Sequence, residues 1–272
     1  HIGKQILDSI EKSCNCITPK EKASFQIACL LHDVGHSPFS HTLEHLFGTV
    51  EELFEVFIDK AKEGSLDDNF SDVDLASSDV KQHEILSALL CITTYRDGIV
   101  RLGGDPCHVS RMIMGFPYRT PEKSLDDCLI SLLHGDVIDA DKIDYICRDK
   151  WASGYQSNSV DIDRNRRALK IIETRGKFQI VYSKTALYEI NALIDNKNFQ
   201  TNWIFKHHQV VYEQKIFLNA VKALVQCLFK NPGGKACKLF DFNSFYHKVD
   251  VCEGCSVYML SDDDIVHLMK AH

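Results

Sequence analysis

A stretch of helical apolar spacing that opens on Thr18-Pro19-Lys20-Glu21 and runs unbroken into His32-Asp33 constrains this chain more than anything else in it. The opening is a capping box with Pro at the first helical position, so the helix has a defined start. Phe25, Ala28, Cys29 and Leu31 give it an apolar stripe, and His32 and Asp33 are delivered at its end. Imidazole nitrogen and carboxylate oxygen together suit a borderline or hard divalent ion. Such an ion can polarise a phosphoryl oxygen and lower the pKa of a bound water. A lone His-Asp pair is more often a surface or capping feature. Here Gly35, His36, His41, Glu44 and His45 follow at once, a density that packing alone does not explain.

Helical period dominates the rest. Ile2, Ile6, Leu7 and Ile10 mark an earlier amphipathic helix. His41, Glu44 and His45 fall at i, i+3 and i+4, one face of a short helix that continues over 46–61 with an acidic outer face. Residues 64–79 are polar and aperiodic and read as a mobile loop or insertion, and 83–94 is helical again. Residues 103–121 are rich in turn signals and suggest a pocket rim, whereas 124–148 restores helical spacing. Arg175-Gly176-Lys177 before Phe178-Gln179-Ile180-Val181-Tyr182 predicts one small hairpin. Residues 186–228 make one or two long helices, Asn231-Pro232-Gly233-Gly234 is a break, and a shorter helical tail follows. The expected class is mostly α with minor β.

Composition narrows the partners. At 272 residues and 44% hydrophobic, the chain can bury the core of one large domain. A net charge of −7 without a basic tract disfavours nonspecific nucleic-acid binding. No apolar run reaches the length of a membrane span, and neither end reads as a signal peptide. The eleven scattered cysteines are expected to be reduced thiols of a cytoplasmic protein. Cys14 and Cys16, or Cys252 and Cys255, could each be half of a zinc site, but a structural site needs four ligands.

From Cys29 to His45 the chain resembles the HD-domain phosphohydrolases, and within them the deoxynucleoside triphosphate triphosphohydrolase branch that includes bacterial dGTPases. Every fixed position of the pattern H-D-x-G-H-x-P-F-x-H is present from His32 to His41. A second block, Asp139-Ala140-Asp141-Lys142-Ile143-Asp144-Tyr145 through Arg148-Asp149, is similar to the branch's D-x-D-K-x-D-Y-x-x-R-D. A more diffuse similarity covers residues 1–217. The resemblance implies an HD-type helical domain over 1–230 with a truncated N-terminus, followed by an incomplete helical tail over 231–272.

It also implies roles. His32, Asp33 and Asp141 would hold a divalent ion, whether manganese, magnesium, iron or zinc, together with a His on an early helix. Aligned through the apolar positions, His1 falls past that ligand, which would then lie upstream; a competing alignment makes His1 the ligand itself. His36, held by Glu44, would give a proton to the leaving 5′-oxygen while an activated water attacks the α-phosphorus, and His83 would assist. Lys142 and Tyr145 would meet the phosphates and Asp149 the sugar 3′-hydroxyl, with His41 facing substrate or supporting the ligands. Asp141, Asp144, Tyr145 and Arg148 share one helical face, which a solvated set of ion pairs would also explain. Where relatives carry phosphate-gripping arginines beyond an L-Y-x-L pattern, this chain has Leu187-Tyr188-Glu189-Ile190 and then Asp195, Asn196, Lys197 and Asn198. Lys206-His207-His208 echoes an aromatic-His-His element, whose aromatic is either Phe205, across a one-residue gap, or lost.

The function implied is hydrolysis of a dNTP to deoxynucleoside and tripolyphosphate by a homo-oligomer. Two alternatives stand beside it: an HD phosphodiesterase or nucleotidase acting on another phosphoester, and a non-catalytic nucleotide-binding domain.

Overall fold

The structure is a computed structural model that describes residues 1–12, 14, 16–66, 69–135, 138–156, 160–228, 238–245, 247–252 and 255–271. Its helices are α1 (Ile2–Glu11), α2 (Pro19–Leu31), α3 (Val50–Glu63), α4 (Gln82–Ile92), α5 (Arg96–Arg101), α6 (Pro106–Met114), α7 (Ser124–Leu133), α8 (Ala140–Ser153), α9 (Ile162–Ala168), α10 (Leu187–Phe199), α11 (His208–Leu228) and α12 (Asp262–Ala271). Between α10 and α11 the backbone widens into a π-helical stretch, Gln200–Phe205. Strands β1 (Leu169–Thr174) and β2 (Lys177–Tyr182) form one antiparallel hairpin, and β3 (Lys248–Cys252) and β4 (Cys255–Tyr258) a second. The mostly α fold expected from the sequence is the one observed.

Local chemistry explains the starts. Thr18 accepts from the Glu21 amide while the Glu21 carboxylate accepts from Thr18, the reciprocal box read from the sequence. Thr49 and Glu52 repeat the device at α3. Helix α4 is the centre of the fold, buried from His83 to Ile92, so apolar side chains surround its first turn. On one side Leu86 and Leu89 pack with Phe54 and Phe57 of α3, Val221 and Leu224 of α11, and Val251, Val257, Ile265 and Leu268 of the C-terminal segment. A second core joins Ile6 and Ile10 of α1, Phe25 and Ala28 of α2, Met112 of α6, Leu129 of α7 and Ile143 and Ile146 of α8.

The structure departs from the sequence reading in several places. Residues 40–46 are two 3-10 turns, Ser40–Thr42 and Glu44–Leu46, in place of a helix, because Phe39 and Ser40 both take left-handed φ and turn the chain away. Gly48, at φ 131, separates them from α3, which therefore starts at Val50. Within 103–121, read as turns, lies helix α6: Pro106 occupies its first position and Asp105 caps it by accepting from the Cys107 and His108 amides. The described part of 64–79 has two 3-10 turns, and Phe70 is buried edge-on against Phe57 at 4.9 Å. The tail carries a hairpin as well as a helix. Cys14 and Cys16 are disulfide-bonded, contrary to the expectation of thiols throughout. The break at Asn231-Pro232-Gly233-Gly234 lies outside the described residues.

Candidate metal and phosphate site

His32 caps the C-terminus of α2, and its Nδ1 lies 3.1 Å from the Cys29 carbonyl. A carbonyl only accepts, so Nδ1 carries the proton and Nε2 presents its lone pair. That Nε2 faces Asp141 Oδ1 at 3.1 Å and Asp33 Oδ2 at 3.3 Å. Asp141 sits in the first turn of α8, whose start is fixed by Asp139 accepting from the Lys142 amide at 2.6 Å. Two carboxylates and an imidazole lone pair therefore converge, with ligand atoms within 4.8 Å of one another, and only a cation or a proton reconciles them. The donor set fits a divalent ion. Burial works against a charged His32, yet the Asp141 hydrogen bond and the Asp33 charge outweigh it and raise its pKa. Burial likewise pushes the Asp33 carboxyl up, but the hydrogen bond from His36 and the neighbouring imidazoles hold it at about 2.

A second cluster adjoins the first. His36 Nε2 lies 3.4 Å from Asp33 Oδ1, and its ring stacks on His83 at 4.1 Å and 11°. His83, on the first turn of α4, donates from Nδ1 to Glu44 Oε2 at 3.0 Å, and His41 reaches the same oxygen at 3.2 Å. His41 of the first 3-10 turn and Glu44 at the start of the second meet across Leu43, while His45 is exposed. Glu44 thus holds His83 and His41; His36 is held by Asp33, by the Ser40 hydroxyl at 3.3 Å and by stacking. Despite burial, these hydrogen bonds keep the Glu44 carboxyl at about 2. The Glu44 hydrogen bond raises the pKa of His41, against its burial. Gly35 lets the whole turn seat on α4: its amide donates to Ser87 Oγ at 2.9 Å, and a Cβ there would run into the Leu86 and Ser87 backbone.

The α8 residues divide. Asp141 and Tyr145 turn toward the site, and burial together with the Asp141, Asp139 and Asp149 charges pushes the Tyr145 hydroxyl up to about 12. Asp144 and Arg148 pair with each other in solvent. Lys142 Nζ binds the Asp139 carboxylate at 2.5 Å and the Gly135 carbonyl. Asp149 is half-buried one turn beyond Tyr145. On α10, Asn196 accepts from the Tyr155 hydroxyl at 3.1 Å, and Phe205 is exposed on the π-helical stretch. Ser40, Ser87 and the Cys29 carbonyl shape the site without having been singled out in the sequence; only contact geometry reveals them. Part of the region read as a pocket rim, Gly115–Thr120, lines a cavity of about 630 Å³ with Arg111 and His134. His134 Nδ1 lies 3.5 Å from Glu84, the neighbour of His83.

The sequence profile of the HD domain family matches residues 1–145, more than half of the chain. The chain belongs to the HD domain family. It is thereby classed with the HD-superfamily phosphohydrolases. Among its relatives, an uncharacterized protein of Methanocaldococcus jannaschii is 28% identical over 201 residues, 74% of this chain and 34% of that protein. The deoxynucleoside triphosphate triphosphohydrolase SAMHD1 homolog of Dictyostelium discoideum is 26% identical over 202 residues, 74% of this chain and 32% of its own length. Danio rerio SAMHD1, a deoxynucleoside triphosphate triphosphohydrolase, is 30% identical over 206 residues, 70% of this chain and 30% of its own. The chain spans about a third to a half of the length of the curated relatives it matches. The HD family match ends at Tyr145, so it takes in both Asp33 and Asp141.

Proposed function

We propose that this HD-family chain is a metal-dependent phosphohydrolase that converts a dNTP to deoxynucleoside and tripolyphosphate. The observation that carries the reading is the convergence of His32, Asp33 and Asp141 beside a histidine cluster whose nearest member, His36, contacts Asp33. When bound there, a divalent ion would polarise a phosphoryl oxygen and make a bound water nucleophilic near neutral pH. His36 would deliver a proton to the leaving 5′-oxygen, with Asp33 and the stacked His83 fixing its ring and Glu44 fixing His83. Tyr145 and Asp149, which follow Asp141 along α8, would contact phosphate and sugar. The two triphosphohydrolase relatives support the choice of substrate.

One observation favours a second reading. Lys142 is bound to Asp139 and Gly135, which leaves fewer of its protons for a triphosphate. That suits an HD phosphodiesterase or nucleotidase acting on a smaller phosphoester. Chromatography of products from each dNTP with manganese or magnesium separates the two. Tripolyphosphate with deoxynucleoside supports the first reading, orthophosphate the second, and unchanged dNTP a nucleotide-binding domain without turnover.

We also propose that the chain pairs with a second copy through α10, the π-helical stretch and the start of α11, where Tyr188, Trp203, Val211, Tyr212 and Ile216 are exposed. Large apolar side chains gathered on one exposed segment mark a surface that a partner covers.

A further inference from the structure

We propose that His36, His41, Glu44 and His83 form a second divalent-cation site of zinc type, distinct from the His32–Asp33–Asp141 cluster. Each of the four side chains offers one ligand atom, and these atoms lie within 4.8 Å of one another. Three imidazoles and a carboxylate are a donor set that zinc and its neighbours favour. With bonds of about 2.0–2.1 Å, tetrahedral ligands stand roughly 3.3 Å apart. Glu44 Oε2 is already 3.2 Å from His41 Nδ1 and 3.0 Å from His83 Nδ1. The His36 ring is stacked on that of His83 and has to tilt out of the stack for its nitrogen, already within 4.8 Å of the other three ligand atoms, to point at the same ion.

The supports are built. His83 opens the stretch of α4 that is buried through to Ile92, and Gly35 fixes the turn carrying His36 against that helix. Asp33 Oδ1 can accept the His36 Nε2–H, leaving Nδ1 with its lone pair, the carboxylate–histidine arrangement that supports metal-binding imidazoles. The His41 side chain is 60% exposed, which gives an ion a way in from solvent. The Asp33 carboxylate lies between the clusters, one oxygen toward His32 and the other toward His36, so its charge screens two cations from each other.

The two clusters differ in chemistry. One imidazole and two carboxylates accept a hard ion such as magnesium or manganese, whereas three imidazoles and one carboxylate select zinc, cobalt or nickel. An ion in the second cluster would take up the lone pairs of His36 and His83 that proton transfer requires. A zinc-type ion would therefore inhibit the enzyme while magnesium or manganese sustains it. That inhibition rests on the phosphohydrolase reading; the binding does not.

The test is a cobalt(II) titration of the metal-stripped chain held in saturating magnesium, followed by visible absorption. We expect a saturable d–d band of a low-coordinate nitrogen and oxygen site, without the near-ultraviolet band of thiolate ligation. Asp141→Ala should keep the band, and both His41→Ala and His83→Ala should lose it; His41, being largely exposed, can be removed without opening the core. Absence of the band in the wild-type chain, its survival in both His variants, or its loss in Asp141→Ala would overturn the proposal. A normal cobalt band in a chain that hydrolyses no nucleotide would sink the phosphohydrolase reading and leave the second site standing.

Discussion

At the scale of residues, Asp33 is shared: one oxygen faces His32 and the other His36. On the phosphohydrolase reading, ion binding and proton transfer would be joined through one side chain, and variants on either side should separate them. Asp141→Ala should abolish bound magnesium or manganese and turnover together while the circular dichroism stays that of the parent. His36→Ala should lower turnover by about 10²–10⁴-fold with metal content little changed. Equal loss of magnesium or manganese in both variants, measured by elemental analysis, would move His36 into the ligand set of the His32–Asp33–Asp141 ion. Gly35 sets a steric limit of another kind. A methyl group there meets backbone 2.6 Å away at Leu86, which cannot yield as a flexible side chain would. Gly35→Ala should cost about 1–3 kcal/mol of stability by overpacking. It should also depress turnover, since the displaced turn carries His36. A urea midpoint equal to that of the parent would refute this.

At the scale of elements, α6 against α7 offers a pH response away from the site. His108 of α6 is buried, and its Nε2 has no hydrogen-bond partner among the described residues. The Asp126 carboxylate at 3.5 Å is a long ion-pair contact and does not satisfy it. Burial lowers the His108 pKa, with Asp126 and Asp105 opposing in part. A histidine whose folded pKa is depressed takes up its proton more readily in the unfolded chain. Its contribution is therefore present above the unfolded value near 6.5 and is lost as pH falls through the depressed folded value. Urea midpoints at pH 7.5 and 5.5 should differ, and His108→Gln should narrow the difference. Elements also show what could be read in advance. The capping box at Thr18 is local, so the start of α2 was legible; the equally local box at Thr49 was hidden by apolar spacing that runs on from residue 46. Helix α6 was obscured because Gly103, Gly104, Pro106, Pro117 and Pro121 look like punctuation, yet Pro106 sits where a helix lacks an amide partner anyway. The 3-10 turns at 40–46 could not be foreseen, since left-handed φ at Phe39 and Ser40 is set by tertiary contacts. In the site, His32, Asp33 and Asp141 were legible from residue type and motif. That Glu44 would grip His83 and His41 depends on contacts that join α4 to the turns.

At the scale of the whole molecule, the exposed aromatic and β-branched side chains from Tyr188 to Ile216 predict association. Sedimentation should give a mass above that of one 30.9 kDa chain, and Trp203→Glu should return it toward the monomer. A monomeric parent at tens of micromolar would exclude the interface. The C-terminal segment bears on the site from the opposite direction. Asp262, in the first turn of α12, accepts from the Phe39 amide at 2.8 Å, and the Phe39 ring meets Phe217 of α11 at 4.4 Å. Phe39 and Ser40 hold a backbone shape that ordinary side chains avoid, and such shapes persist only where surroundings impose them. The last helix therefore works as a latch on the turn between His36 and His41: a chain shortened ahead of Asp262 would keep all the residues proposed to bind metal and move protons yet release the bend that aims them.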